Sequence, residues 1–394
     1  MEKILRSLFI CASVHNSLVA PKPKLGMIRR KVQPPLVMAT ARASFRPDPR
    51  EFAYSLPQER IALVPARPRD SARLLVYHQP TAHFEHRRVR DLSAILPKGT
   101  LLVVNNTKVV PARLALEDER GREVPLLLLP PFFNEEGEVR ALAPRAARAG
   151  ALLTHRPTGI RARVERRDGK ECSLRFQASG AILRDLVLRW GEAPLPPYLQ
   201  ASPLSFHERR RRYQTVFARS DGSVAAPTAS LHFTRRLLSA LRARGHAIAA
   251  VTLHVGLGTF APLTERELKE GKLHQEWYAV GPRAAERIRE ALSKRRPIVA
   301  VGTTTLRTLE TVAQRYGEIR PAQGVTDLFI YGKFPFRVAS GLFTNFHIPQ
   351  SSLLMLVDAF LGGDGRQWRR VYREALERDY RFLSFGDASL LWRG

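Results

Sequence analysis

Beyond Thr234 short apolar runs alternate with helix-patterned segments, and that rhythm constrains the fold more than any other feature of the chain. "TRRLLSALRARG" (234–245) opens on a threonine suited to cap a helix, carries apolar residues at helical spacing and closes on glycine. "AIAAVTLHV" (247–255) reads as a strand, "RAAERIREALSK" (283–294) as a helix and "PIVAVG" (297–302) as a buried strand. "TTLRTLETVAQRY" (304–316) reads as a helix and "TDLFIY" (326–331) as a strand. "SSLLMLVDAFLGG" (351–363) is apolar almost all round, which predicts a buried helix. The pattern calls for a mixed α/β domain.

The texture differs upstream. "LLVVNNTKVVPARL" (101–114) reads as a buried strand, a polar turn and a second short strand. Between Leu114 and Leu188 short apolar runs alternate with glycine-containing polar turns, such as "EDERGRE", "NEEGE" and "RRDGKE". Asp168-Gly169 between "RARVE" and "CSLRF" is a hairpin signal. Residues 114–188 are therefore expected to form a small all-β insertion. "APLPPYL" (193–199) closes it as a stiff connector, since its three prolines suit neither a helix nor a central strand. The main α/β domain then takes 46–113 and 189–394.

The first 45 residues hold one acid, Glu2, and scattered proline and basic residues without period. His15 and Asn16 interrupt their apolar stretch, so a secretory signal is disfavoured. A disordered basic extension, or a start at Met27 or Met38, is expected instead.

A chain of 394 residues is long enough for a large core. Its 64 Lys+Arg against 36 Asp+Glu give a net charge of +28. A preference for arginine over lysine changes the kind of cation and not the excess. A surplus of this size points to a polyanionic partner, nucleic acid above all. Cys11 and Cys172 are too far apart in pattern for a disulfide framework or a thiolate zinc site, which is compatible with a reducing, cytoplasmic setting. No apolar run reaches the ~20 residues of a membrane helix.

Three histidines stand inside apolar, strand-like segments: His232 in "APTASLHFT", His254 in "VTLHVGLGTF" and His347 in "LFTNFHIPQSS". Around these and His274 no HxH, HExxH or HxxxH occurs, so no metal is expected, although a site assembled from separate strands stays open. Any one of them is as well explained as a hydrogen-bonded core histidine. Three at strand ends beside Gly, Thr, Asn and Pro point to a shared polar pocket. "IVAVGTTTLRTLE" (298–310) puts Gly302, Thr303 and Thr304 where a strand becomes a helix, a seat for a carboxylate or phosphate or else a plain helix cap. Gly256 and Gly258 permit close approach of a ligand to backbone, but no third glycine completes a dinucleotide fingerprint.

Eleven stretches, in order from about residue 52 to 388, carry a family resemblance. They are "YSLPQERIALVPARPRDSARLLV", "LLVVNNTKVVPARL", "PLPPYL", "RYQTVF", "VAAPTASLHF", "VTLHVGLGTFAPL", "LHQEWY", "VGTTTLRTLE", "TDLFIY", "LFTNFHIPQSSLLMLVDAF" and "YRFLSFGDA". The chain resembles the S-adenosylmethionine:tRNA ribosyltransferase-isomerases of queuosine biosynthesis (the QueA family). The resemblance implies a main α/β domain with a small inserted β-barrel. It also implies transfer of the ribosyl part of S-adenosylmethionine to 7-aminomethyl-7-deazaguanine in a tRNA anticodon. The product is epoxyqueuosine; adenine and methionine leave.

On this reading S-adenosylmethionine is a co-substrate, no metal is needed and the partner is tRNA. The protein would be a cytoplasmic monomer. His232, His254 and His347 would line the ribosyl pocket as catalytic residues. Thr228, Gly256, Gly258, Gly302, Thr303, Thr304 and Asn345 would hold S-adenosylmethionine. Arg73, Asn105, Asn106 and Arg113 would hold the RNA substrate, with Arg60 and Arg69 available for phosphate or the methionine carboxylate. Phe346 or Tyr198 would stack on the splayed base or else belong to the core. Some positions depart from the family pattern. Ser230 stands for Gly, "FIYGKF" replaces a Pro-Gly turn, Val124 or Pro125 sits where Glu is usual, and the insertion lacks its usual Trp. These leave open a non-catalytic RNA-binding protein on the same scaffold. A generic methyltransferase is disfavoured, because no glycine-rich loop followed by a ribose-binding acid is present.

Overall fold

A computed structural model describes residues 47–394 except 133, 134, 257 and 259–261. The 45-residue extension expected at the N-terminus lies outside the described residues. In chain order β1 (Arg73–His78), β2 (His83–Arg88), β3 (Leu101–Asn105) and the short β4 (Thr107–Val109) come first. Then follow β5 (Arg113–Glu117), β6 (Glu123–Leu129), β7 (Glu138–Leu142), β8 (Leu152–His155), β9 (Ile160–Asp168) and β10 (Glu171–Phe176). The remainder holds β11 (Ser220–Ser223), β12 (Ala247–Leu253), β13 (Lys272–Val280), β14 (Ile298–Val301), β15 (Ala322–Leu328), β16 (Gly341–Asn345) and β17 (Ala388–Trp392).

Nine strands form one sheet in the order β15-β13-β12-β3-β14-β16-β17-β1-β2. Its four central strands, β12, β3, β14 and β16, are parallel. They are apolar at nearly every position because both faces are covered. Alternate residues feed two cores. Leu101, Val103, Ile298 and Ala300 pack with Ile288, Leu306 and Leu309 of the helices Pro282–Ser293 and Thr303–Tyr316. Leu102, Val104, Val299 and Val301 pack with Leu237 and Leu241 of the helix Arg235–Ala243. The mixed α/β domain expected from the sequence is borne out.

Local signals worked where chemistry fixes them. Thr234 caps the helix that follows, its Oγ1 accepting from Leu237 N at 3.1 Å. Gly245 ends it at φ 79°, a conformation glycine takes without steric cost. The helix Ser352–Phe360 buries seven of its nine residues, as its all-round apolar pattern requires. One strand is displaced from expectation. "TDLFIY" predicts a strand over 326–331, but β15 ends at Leu328. Phe329 and Ile330 are 1% exposed and turn into the core, so their apolarity marks burial after the strand.

The inserted unit is a closed barrel in the order β10-β7-β6-β5-β8-β9, with its own core. The helix Gly180–Trp190 packs Leu183, Leu186 and Val187 against it. The expected hairpin is present: Asp168 pairs with Glu171, and Gly169 takes φ 56°. The chain enters and leaves side by side. Arg113 and Glu192 exchange backbone hydrogen bonds, and β4 pairs in parallel with β11. In the main domain no helix among the described residues is long and apolar enough to cross a membrane, and the barrel's helix is no exception.

Candidate active site

In a sheet of this topology the loops at the carboxyl ends of parallel strands are where ligands bind. That edge carries Asn105 at the end of β3, His254 after β12, Gly302 after β14, and Asn345 and His347 at and beyond β16. Because β17 runs antiparallel to β16, Asp387 and Arg73 reach the same edge on the far side. Asn105, His254, Gly302, Asn345, His347 and Arg73 are thus brought to one edge, in different roles, and Arg113 is not.

Asn105 is fully buried. Its Nδ2 donates to Leu253 O at 2.9 Å and Thr304 Oγ1 at 3.2 Å; its Oδ1 accepts from the N–H groups of Thr107 and Leu253. All four hydrogen-bonding positions are used inside the protein, tying β3 to β12 and to the start of the next helix. Asn106 accepts from Thr252 Oγ1 at 2.7 Å. Arg73 donates to Arg378 O and lies over the Tyr380 ring at 3.9 Å. Arg113 stands at the barrel neck. Arg69 bonds the carbonyls of Arg212 and Gln214, and Arg60 pairs with Asp379. Phe346 is 1% exposed among Tyr372, Tyr380 and Phe382, in the core and out of reach of a base. Tyr198 is part-buried with its hydroxyl on Ser384.

The three histidines divide. His232 ends a 3-10 turn that begins at the half-buried Thr228. Its Nε2 accepts from Asn345 Nδ2 at 3.1 Å, so the neutral ring carries its proton on Nδ1. Burial, with Arg381 and Arg69 nearby, pushes its pKa down to about 3. His347, bonded through Nε2 to Thr344 Oγ1 at 3.0 Å, is held at about 3 by burial alone. Its main chain is clamped by the hydroxyls of Tyr372 and Tyr54. His254 sits three strands away from β16. Its Nδ1 meets Thr107 Oγ1 at 2.8 Å and its ring stacks on Trp277 at 4.9 Å. It is half-buried, and burial lowers its pKa against the opposing pull of Asp221.

Sequence reasoning passed over the densest charged group at this edge. Glu276 of β13 is 2% exposed and paired with Arg307, itself 3% exposed. His274 Nε2 lies 3.3 Å from Glu276 and its Nδ1 3.8 Å from Glu267. Burial opposes charge on His274, but the two carboxylates overcome it and hold the ring protonated up to about 9. Burial likewise opposes charge on Glu276, and Arg307 and His274 more than offset it. Gly256 N–H donates to Glu276 Oε1 at 2.9 Å. Gly258 lies so close to His274 that a Cβ there would sit 2.3 Å from the ring. What approaches these glycines is the protein's own imidazole. His274, Thr303, Thr304, Arg307 and Ser352 line a small cavity with apolar walls, including Leu273 and Ile330. The signal was in "LHQEWY": alternate positions on a strand share a face, so His274 and Glu276 had to project together.

The family model described as queuosine biosynthesis protein matches residues 49–391. The chain belongs to that family. It is 42% identical over 342 residues to the S-adenosylmethionine:tRNA ribosyltransferase-isomerase of Carboxydothermus hydrogenoformans, covering 87% of this chain and 99% of the relative. It is 43% identical over 345 residues to the protein of that name from Thermotoga petrophila, covering 86% and 98%. A crystal structure of the S-adenosylmethionine tRNA ribosyltransferase of Thermotoga maritima, 36% identical, covers 86% of this chain and 99% of its own, with a TM-score of 0.50. All members of the edge just described fall inside the family match. Among the described residues no group of three or more His, Cys, Asp or Glu could hold a metal.

Proposed function

We infer that this chain is an S-adenosylmethionine:tRNA ribosyltransferase-isomerase. The observation that carries the inference is identity of 42–44% along nearly the whole length of relatives bearing that name. The finer reading follows the resemblance. The RNA substrate is an anticodon loop carrying 7-aminomethyl-7-deazaguanine, and the product is epoxyqueuosine. The enzyme acts as a cytoplasmic monomer, with the main α/β domain holding the chemistry and the barrel spanning 114–188 inserted in it.

The chemistry demands proton handling and oxygen holding. A proton leaves the ribose carbon beside the sulfonium, and departing adenine takes one up. Of the three histidines, His254 suits that traffic best, being half-exposed with a neutral ring. His232 and His347, neutral and bonded to Asn345 and Thr344, suit a fixed wall that presents hydrogen-bonding groups to the sugar. Thr228, Gly302, Thr303 and Thr304 frame the S-adenosylmethionine side of the same edge.

Incubation with S-adenosylmethionine and the modified anticodon stem-loop tests the reading by mass balance. Adenine and methionine should appear with a ribosyl-sized gain on the RNA. RNA binding with no adenine release overturns it in favour of a non-catalytic RNA-binding protein.

A further inference from the structure

At its β15 end the nine-stranded sheet has one covered face and one that carries exposed side chains. Val251 and Leu253 of β12 and Tyr278 and Val280 of β13 belong to the main core. The alternate residues of these strands face the other way. Among them Ala250 is exposed, Thr252 pairs with Ala279, and Ala279 pairs with the exposed Gln323 of β15. Two residues along, His254 donates its N–H to Trp277 O, and Trp277 pairs with Val325. Opposed residues on neighbouring strands share a face, so His254, Trp277 and Val325 stand in one row.

Trp277 is 38% exposed and Val325 45%, on strands whose other face lines the core. Leaving so much apolar area in water costs free energy that a bound ring would recover. The indole lies nearly parallel to the His254 ring, with 19° between the planes, so its position is set beside that imidazole. A protein partner would need a contiguous apolar patch of about 800 Å². Here one indole and one valine stand among Thr252, Ala279 and Gln323, which suits a single flat ring. A cation is near. Arg219 is exposed and in no ion pair among the described residues; Asn106 O accepts its N–H, and the Asn106 side chain accepts from Thr252 on this face. An aromatic plate with a free cation close by is how proteins hold single-stranded nucleic acid.

We propose that Trp277 is a stacking platform for a base of the anticodon loop that flanks the modified one. The proposal rests on the RNA substrate inferred above and extends its contact from His254 onto the open sheet face. Phe346, expected from the sequence to stack on RNA, is enclosed in the core; Trp277 presents the aromatic surface that Phe346 cannot.

The test is a double-substitution cycle between protein and RNA. Stem-loops carrying the aminomethyl-deazaguanine are made intact, or abasic at the nucleotide before or after it. Their binding to the full chain, to Trp277→Val and to Trp277→Phe is read by fluorescence anisotropy. One of the two abasic loops should bind the wild-type chain about tenfold more weakly than the intact loop. Trp277→Val should lose about tenfold on the intact loop and nothing further on that abasic one, while Trp277→Phe stays within about threefold of wild type. In turnover the loss should fall on KM for the RNA, with affinity for S-adenosylmethionine unchanged. Additive losses at both positions overturn the proposal. So does a fall in kcat at unchanged KM, which would make Trp277 only a support for His254, and so does weakened binding of S-adenosylmethionine, which would make adenine the occupant. The wild-type arm needs no variant to fold. A wild-type chain that binds the intact loop but tolerates both abasic ones overturns the platform alone; one that does not bind the intact loop overturns the RNA reading with it.

Discussion

His232 and His347 are neutral because they are buried, and His274 is charged although it is half-buried; three imidazoles at one sheet edge answer pH in opposite senses. For His232 and His347 the folded pKa, about 3, lies below the ordinary value near 6.5. Their neutral forms support folding above that ordinary value, and the support is lost as pH falls from about 6.5 towards 3. For His274 the folded pKa, about 9, lies above it. Its contribution is complete below about 6.5 and is lost as pH rises through 9. Chemical denaturation across pH 4–10 should therefore give a stability maximum near neutrality. His274→Gln should flatten the alkaline limb by on the order of 2 kcal/mol while sparing the acid one. At fixed pH, His254→Ala should abolish most turnover and lower stability by about 1 kcal/mol through the lost bond to Thr107, whereas His254→Gln, which keeps a polar partner for Thr107, should lose turnover with little change in melting temperature. His232→Ala should instead destabilise by about 1–3 kcal/mol, because Asn345 Nδ2 loses its buried acceptor.

Elements carry two further predictions. Thr234 both caps the helix Arg235–Ala243 and donates to the buried carboxylate of Asp70 at 2.6 Å. Thr234→Ala should cost about 2 kcal/mol, read from urea midpoints. Ser230, where the resemblance expects glycine, is fully buried with its Oγ unpartnered. Ser230→Ala should raise stability by about 1 kcal/mol by removing that orphan. Elements were also the scale most legible in the sequence. Thr234, Gly245 and Asp168-Gly169 act through their immediate neighbours, so their meaning survives without a structure. Phe329 and Ile330 misled, since apolarity reports burial and not hydrogen-bonded pairing. The resemblance places Asn105 among the substrate ligands; only the fold shows that Thr107, β12 and the next helix take all its bonds. Arg307 and Glu276 lie 31 residues apart, and an ion pair between a strand and a helix leaves no periodic trace.

On the scale of the whole molecule the +28 charge is a claim about the partner. With about six phosphates engaged, affinity for tRNA should fall by roughly a thousandfold between about 50 and 200 mM salt, read from a filter-binding titration. The joint between barrel and main domain reaches the same sheet edge. The barrel's helix reaches β11 through Arg184, 2.6 Å from Asp221. Gly222, the next residue, lies against the His254 ring, where a Cβ would fall 2.5 Å away. Ser223 bonds Thr107, and Thr107 bonds His254. The β4–β11 pair is thus a clip that ties the barrel's helix to the His254 imidazole through contiguous contacts, so the inserted unit and the sheet edge share one stretch of packed chain.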